Sequence, residues 1–135
     1  MPSFNLQERN DNMIEAYSSN ITVTANQAIP FNNLVLKKGC TVALITPTTI
    51  QFNKCGIYCV ACDVSAGTSS TITLYKDGVA QPWTSSEGVT PHIYTYVVVE
   101  KNADNNPCTL PTNIQIMDDT AGTLTNASIK VSKMC

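Results

Sequence analysis

The chain reads as an all-β domain: an antiparallel jelly-roll sandwich of about eight to ten strands, with an N-terminal arm ahead of it. Three observations lead there. Threonine, valine and isoleucine dominate while strong helix formers are sparse, and side chains branched at the β-carbon fit a pleated, half-buried surface. From Asn20 onward, short apolar or alternating segments recur between turn residues, with no internal repeat. Charged residues make up only 13% of the chain, so the surface is expected to be Thr, Ser and Asn rather than Lys and Glu.

Size and charge bound the function. At 135 residues the chain holds one domain with a real core, and two would be cramped. The net charge is −2, and no basic stripe is present to pair with phosphates, which argues against nucleic acid as a partner. No apolar run reaches the roughly 18 residues of a membrane span, and the polar start MPSFNLQERNDNM does not look like a signal peptide. The expectation is a protein without a membrane role, made in a cytosol. Two glycosylation sequons, at Asn20 and Asn126, are expected by chance in a chain this rich in Asn and Thr.

Residues 1–18 differ in character from the rest of the chain. They hold charges, Asn and Gln, and scatter Phe4, Leu6, Met13, Ile14 and Tyr17 without a helix or strand period. Such a stretch cannot bury enough apolar surface to fold alone, so it is read as a docking arm, with the jelly roll over 19–135. NITVTA begins the strands. QAIPF comes second, where Pro30 implies an edge or a bend. LVLKKG and CTVALIT are separated at Gly39, and Pro47 ends the second. TIQF, a turn at Asn53-Lys54 and GIYCVACDV come next. STITLYKDGVAQPW is the clearest hairpin, because Asp77-Gly78 can supply the positive backbone angles of a tight primed turn. The loop TSSEGVTP leads to HIYTYVVVE. Residues 101–112 form a long polar connection, and NIQIMDD and LTNASIKVSK close the chain around a turn at Thr120 to Thr123.

Three of the six cysteines, Cys55, Cys59 and Cys62, fall within eight positions, which raises the question of a metal or redox cluster. A strand has a side-chain period of two. That places Tyr58, Val60, Cys62 and Val64 on one face of GIYCVACDV and Ile57, Cys59, Ala61 and Asp63 on the other. A zinc knuckle needs its C-x₂-C pair on a turn, with both thiolates converging; here Cys59 and Cys62 diverge. Cys62 reads as a core hydrophobe. A disulfide framework is not needed by a domain of this size, although pairings among Cys40, Cys55, Cys59, Cys108 and Cys135 stay open.

The search for chemistry yields little else. His92, the single histidine, starts a strand and reads as structural. No nucleophile elbow, phosphate loop or zinc-protease helix motif occurs. Asp118 and Asp119 could hold calcium together with Asp77 or Asp104, but paired acids before small residues are more often turn formers. Tyr75 and Trp83 are a candidate glycan contact. The chain is therefore read as no enzyme, with no cofactor and no metal. HIYTYVVVE raises a different point: Ile93, Val97 and Val99 fall on one face, Tyr94, Tyr96 and Val98 on the other. A sandwich strand buries one face only, so a second apolar face calls for a partner.

AIPFNN, TPTTIQFNKCGIYCVACDVSAG, ITLYKDGVAQPW and NIQIMDDTAGTLTNASIKVSK, in this order over residues 20–133, resemble the trimeric jelly roll of the tumour necrosis factor and complement-globular-head superfamily. The chain is similar in particular to the C-terminal domain of bacterial collagen-like exosporium glycoproteins, but it has no Gly-X-Y stalk. Without one it looks like small phage head-fibre or capsid decoration proteins. The resemblance implies a homotrimer, with Tyr94, Tyr96 and Val98 at the subunit contact. It further implies display on a phage capsid after synthesis in the bacterial host cytoplasm, with the arm anchored to the major capsid protein or another virion component. The alternatives are a bacterial cell- or spore-surface trimer, and a carbohydrate-binding module that contacts a host surface glycan.

Overall fold

The computed structural model describes residues 12–99 and 111–134. Two antiparallel sheets face each other. The first has the order β10 (His92–Val99), β6 (Gly56–Ala66), β12 (Gly122–Lys133), β1 (Met13–Val23), β3 (Asn33–Lys38). The second runs β4 (Val42–Thr46), β5 (Thr49–Phe52), β11 (Thr112–Asp118), β7 (Ser70–Lys76), β8 (Val79–Ala80). Two short pieces complete it, β2 (Gln27–Ala28) against β11 and β9 (Ser86–Gly88) against β7. The twelve strands exceed the expected eight to ten because β2, β8 and β9 have only two or three residues each.

The alternation read in GIYCVACDV holds. Tyr58, Val60, Cys62 and Val64 are all buried between the sheets. Tyr58 stacks on Phe52 with ring centroids 4.1 Å apart and donates its hydroxyl proton to the Lys54 carbonyl at 2.6 Å. A large ring in a core thereby keeps its polar tip satisfied. The expected hairpin is also present: Asp77 (φ 51°) and Gly78 (φ 81°) both adopt left-handed angles. Asp77 Oδ1 accepts the Asn113 N–H at 2.8 Å, which ties the tip to β11.

The boundary of the arm moves. β1 starts at Met13, so Met13, Ile14 and Tyr17 belong to the first sheet and not to an arm. Ile14, Ala16 and Ser18 point inward and are buried. One of the three is polar and one is a single methyl, which hid the strand period from a hydrophobic reading. Ser18 is accommodated because its hydroxyl donates to the Pro30 carbonyl at 2.7 Å and accepts the Asn32 N–H at 2.8 Å. Asn20 then takes a left-handed angle (φ 52°), and the next buried residue of β1 is Val23. Asparagine is among the few residues that visit this region easily, and the phase change there masks the continuity of β1. Phe4 and Leu6 lie outside the described residues.

Asp118 and Asp119 serve the turn at the end of β11. The Asp118 carboxylate, fully buried, accepts the Thr120 N–H at 3.0 Å. Asp119 accepts the Thr71 N–H at 2.9 Å and the Thr120 hydroxyl at 2.7 Å. Burial pushes the Asp118 carboxyl up, against the lowering by Thr120, whereas the Thr120 hydroxyl and Thr71 N–H hold Asp119 down.

This packing generates two expectations. A group whose value is raised in the fold contributes stability that is full below its unfolded value and lost as the pH rises through its folded value. Asp118→Asn should therefore narrow the stability gap between mildly acidic and neutral pH, and chemical denaturation of both proteins across that range measures it. Cys62→Ala should cost about 1 kcal/mol or more through a small core cavity, and Cys59→Ser less, since Cys59 lies on the outer face.

Candidate functional site

Register decides what the outer face of the first sheet presents. β10 pairs with β6 so that Tyr94 lies opposite Ala61, Tyr96 opposite Cys59 and Val98 opposite Ile57. Their inward neighbours Ile93, Val97 and Val99 are buried, while Tyr94 is 70% exposed, Tyr96 56% and Val98 39%. The two apolar faces expected for this strand are thus both present, and the outer one is open on this chain. Ile57 and Cys59 join this patch. They carried a legible signal, because the period of two sets them on the outer face. The nearby Cys59 side chain holds the Tyr94 phenol above its usual value.

Trp83 stands beside this strand on a 3₁₀ turn, Pro82–Thr84, and is 72% exposed. The turn is tightly held. Thr84 Oγ1 donates to the Gln81 carbonyl at 2.7 Å and accepts the Leu74 N–H at 2.9 Å. The Ser85 N–H reaches the Pro82 carbonyl at 3.1 Å, and the Thr73 and Ser85 hydroxyls bond at 2.7 Å. The indole lines two grooves. One, of about 230 Å³, is bordered by Leu74, Lys76, Tyr96 and Val98, and Lys76 Nζ donates to the Val98 carbonyl at 2.8 Å. The other, of about 410 Å³, is bordered by Ser85, Ser86, His92, Tyr94 and Thr95. Tyr75 borders neither of these grooves; it sits half-buried on β7, opposite Ala80 and Gln115. The partner of Trp83 that the sequence did not supply is Tyr94 or Tyr96.

The cysteines separate. Cys62 is buried in the core, where desolvation pushes its thiol up, with a smaller push from the nearby Asp63 carboxylate. Cys59 is half-buried outside, and Cys40 is exposed; both are free. Cys55 is disulfide-bonded, one of the pairings that the sequence left open. Cys108 and Cys135 lie outside the described residues. Among the described residues no three His, Cys, Asp or Glu side chains come together as a metal-ligand group. Asp77 and the pair Asp118–Asp119 are taken up by separate backbone contacts, and Asp104 lies outside the described residues.

No protein-family model matches the chain, and no curated protein matches it by sequence. Solved structures do match. The globular domain of a zebrafish complement 1qA protein superposes with a TM-score of 0.70 at 10% identity, over 89% of this chain and 94% of that one. The PRD1 vertex protein P5 does so at 0.64 and 12%, over 93% and 98%. Murine APRIL superposes at 0.59 and 10%, over 90% and 99%. The fold is the tumour-necrosis-factor-like jelly roll. This jelly roll places β10 at the edge of the five-stranded sheet, so the aromatic patch lies where a face meets an edge.

Removing the clamp under Trp83 is a direct check on how rigidly it is presented. Thr84→Val deletes a donor and an acceptor from a buried position and should cost about 1–3 kcal/mol in chemical denaturation. Chelation should leave the melting temperature of the wild type unchanged, as read by thermal unfolding with and without a strong chelator.

Proposed function

We propose that the chain is a non-enzymatic structural protein that assembles as a homotrimer through the outer face of β10. The observation that carries this reading is the exposure of Tyr94, Tyr96 and Val98 side by side on an edge strand whose Ile93, Val97 and Val99 are already buried in the core. Large amphipathic rings are favoured at subunit contacts, where one part is desolvated and the hydroxyl finds a partner. A contiguous apolar patch on a soluble chain is ordinarily covered.

The place of that trimer is the surface of a virion, as a head fibre or capsid decoration held by the major capsid protein or another virion component. The similarity of the fold to a vertex protein supports this; fold alone does not fix function. The anchor is the segment ahead of β1, which begins at Met13. Phe4 and Leu6 supply its apolar side chains. A carbohydrate-binding reading has one observation in its favour, the exposed Trp83 beside the Ser85, Ser86 and Tyr94 hydroxyls, and aromatic platforms with a few polar groups suit ligand binding. A glycan array separates that reading from the structural one, and a bacterial-surface role differs from both in its neighbouring genes.

Light scattering should return a mass near three times the 14.6 kDa of the chain at micromolar concentration, and a stable monomer there would remove the trimer. Deleting residues 1–11 should leave an assembled trimer that no longer attaches to particles. Undiminished occupancy by the truncated protein would show that the anchor lies elsewhere.

A further inference from the structure

Five of the six lysines among the described residues stand at one end of the sandwich. β3 ends on Lys37 and Lys38, which pair with Ile14 and Met13 at the start of β1. β12 ends on Lys133, whose N–H bonds to the Asn12 carbonyl at 2.9 Å. Lys54 precedes β6, and its carbonyl accepts the Tyr58 hydroxyl proton. Lys76 ends β7 and crosses to the first sheet, where its Nζ donates to the Val98 carbonyl. Beside these five the only described acid is Asp77; Lys130 and Glu15 approach each other farther along the strands. The opposite end is acidic. Glu87 lies opposite Thr71 near the start of β7, Asp119 accepts the Thr71 N–H, and no described lysine is placed there.

The lysines reach this end from β3, β7, β12 and the turn before β6, so no basic run shows in the sequence. Like charges gathered at one end repel one another. The core does not require them there, since all five are exposed or half-buried. The stretches 1–11 and 100–110 adjoin this end at Asn12 and Val99. They hold Glu8, Asp11, Glu100 and Asp104 against Arg9 and Lys101, which halves the excess of positive charge and does not cancel it.

Building on the reading of the segment ahead of β1 as an anchor, we infer that the lysine end is the face turned toward the particle and docks on an acidic protein surface there. β1 starts at this end, so a segment that holds a partner brings these lysines up to it. Opposite charges attract over a screening length of about 8 Å at physiological salt, which steers the encounter and fixes its orientation. Two other occupants fit less well. The described part of this end has no arginine, whose planar fork matches phosphates best, and the lysines are spread over both sheets instead of tracking one strand, as a phosphate backbone would need. The acidic end of a second copy offers little, because Asp118 is buried and Asp119 is already engaged by Thr71 and Thr120.

Charge reversal tests this, with binding read on immobilised particles stripped of the protein. Lys37→Glu, Lys38→Glu and Lys133→Glu together should leave the fold and the assembly unchanged by circular dichroism and native mass spectrometry. If that variant does not fold, Lys38→Glu with Lys54→Glu, both at exposed positions, takes its place. Its association with particles should slow on the order of tenfold while dissociation changes little, because rim charges act mainly on encounter. Wild-type association should slow as salt is raised. Glu87→Lys, at the opposite end, should associate as the wild type does. Deleting residues 1–11 should give the reverse signature, rapid encounter followed by rapid release. A charge-reversed variant that associates at the wild-type rate would overturn the inference and leave the anchor reading in place; so would association that is insensitive to salt. Loss of binding after nuclease treatment of the particles would put nucleic acid in place of the protein surface and overturn it too. A truncated protein that holds on as the wild type does would instead remove the anchor reading, and the inference with it.

Discussion

The period of two along β6, locked to β10 and β12 by register, is the constraint on which the rest depends. A slip of one residue would exchange every inward side chain for an outward one. Such a slip of β6 would drive Asp63 toward the core and expel Tyr58, Val60 and Cys62. The stacked pair of Tyr58 and Phe52, with the Tyr58 hydroxyl fixed on Lys54, pins that register from the second sheet. The aromatic surface outside is thus a consequence of the core inside. Tyr94 and Tyr96 project outward because Ile93 and Val97 must not.

That coupling gives the outer face its character. A sandwich of this size can satisfy its core with one face of each sheet, and most of β12 and β1 keeps to that pattern with Ser, Lys and Glu outside. β10 and β3 depart from it at the two edges. Neither departure is needed by the core of the single chain. The 3₁₀ turn belongs to the same pattern: Thr84 ties its backbone to Gln81 and Leu74, and the large apolar ring of Trp83 that it carries is 72% exposed.

Much of this was legible in the sequence, for physical reasons. The strands from GIYCVACDV to HIYTYVVVE could be read because their alternation involves large side chains, and the Asp77-Gly78 turn because few dipeptides adopt its angles. The opposite facing of Cys59 and Cys62 came from period alone. Three features were hidden. β1 was masked by Ala16 and Ser18 at inward positions and by the phase change at Asn20. The disulfide at Cys55 could not be deduced, since spacing does not determine connectivity. The association of Trp83 with Tyr94 and Tyr96, rather than with Tyr75, depends on how the turn after β8 folds back on the edge of the other sheet, which no local pattern encodes.

The central claim is that the outer face of β10 is covered by another copy of the chain. Oxidative footprinting read residue by residue tests it most directly, with Met134, 47% exposed and off this strand, as a reference. The account predicts that Tyr94, Tyr96 and Trp83 are protected in the native protein at high concentration and become reactive on dilution, while Met134 reacts alike in both. Full reactivity of the two tyrosines and the indole at every concentration would contradict it.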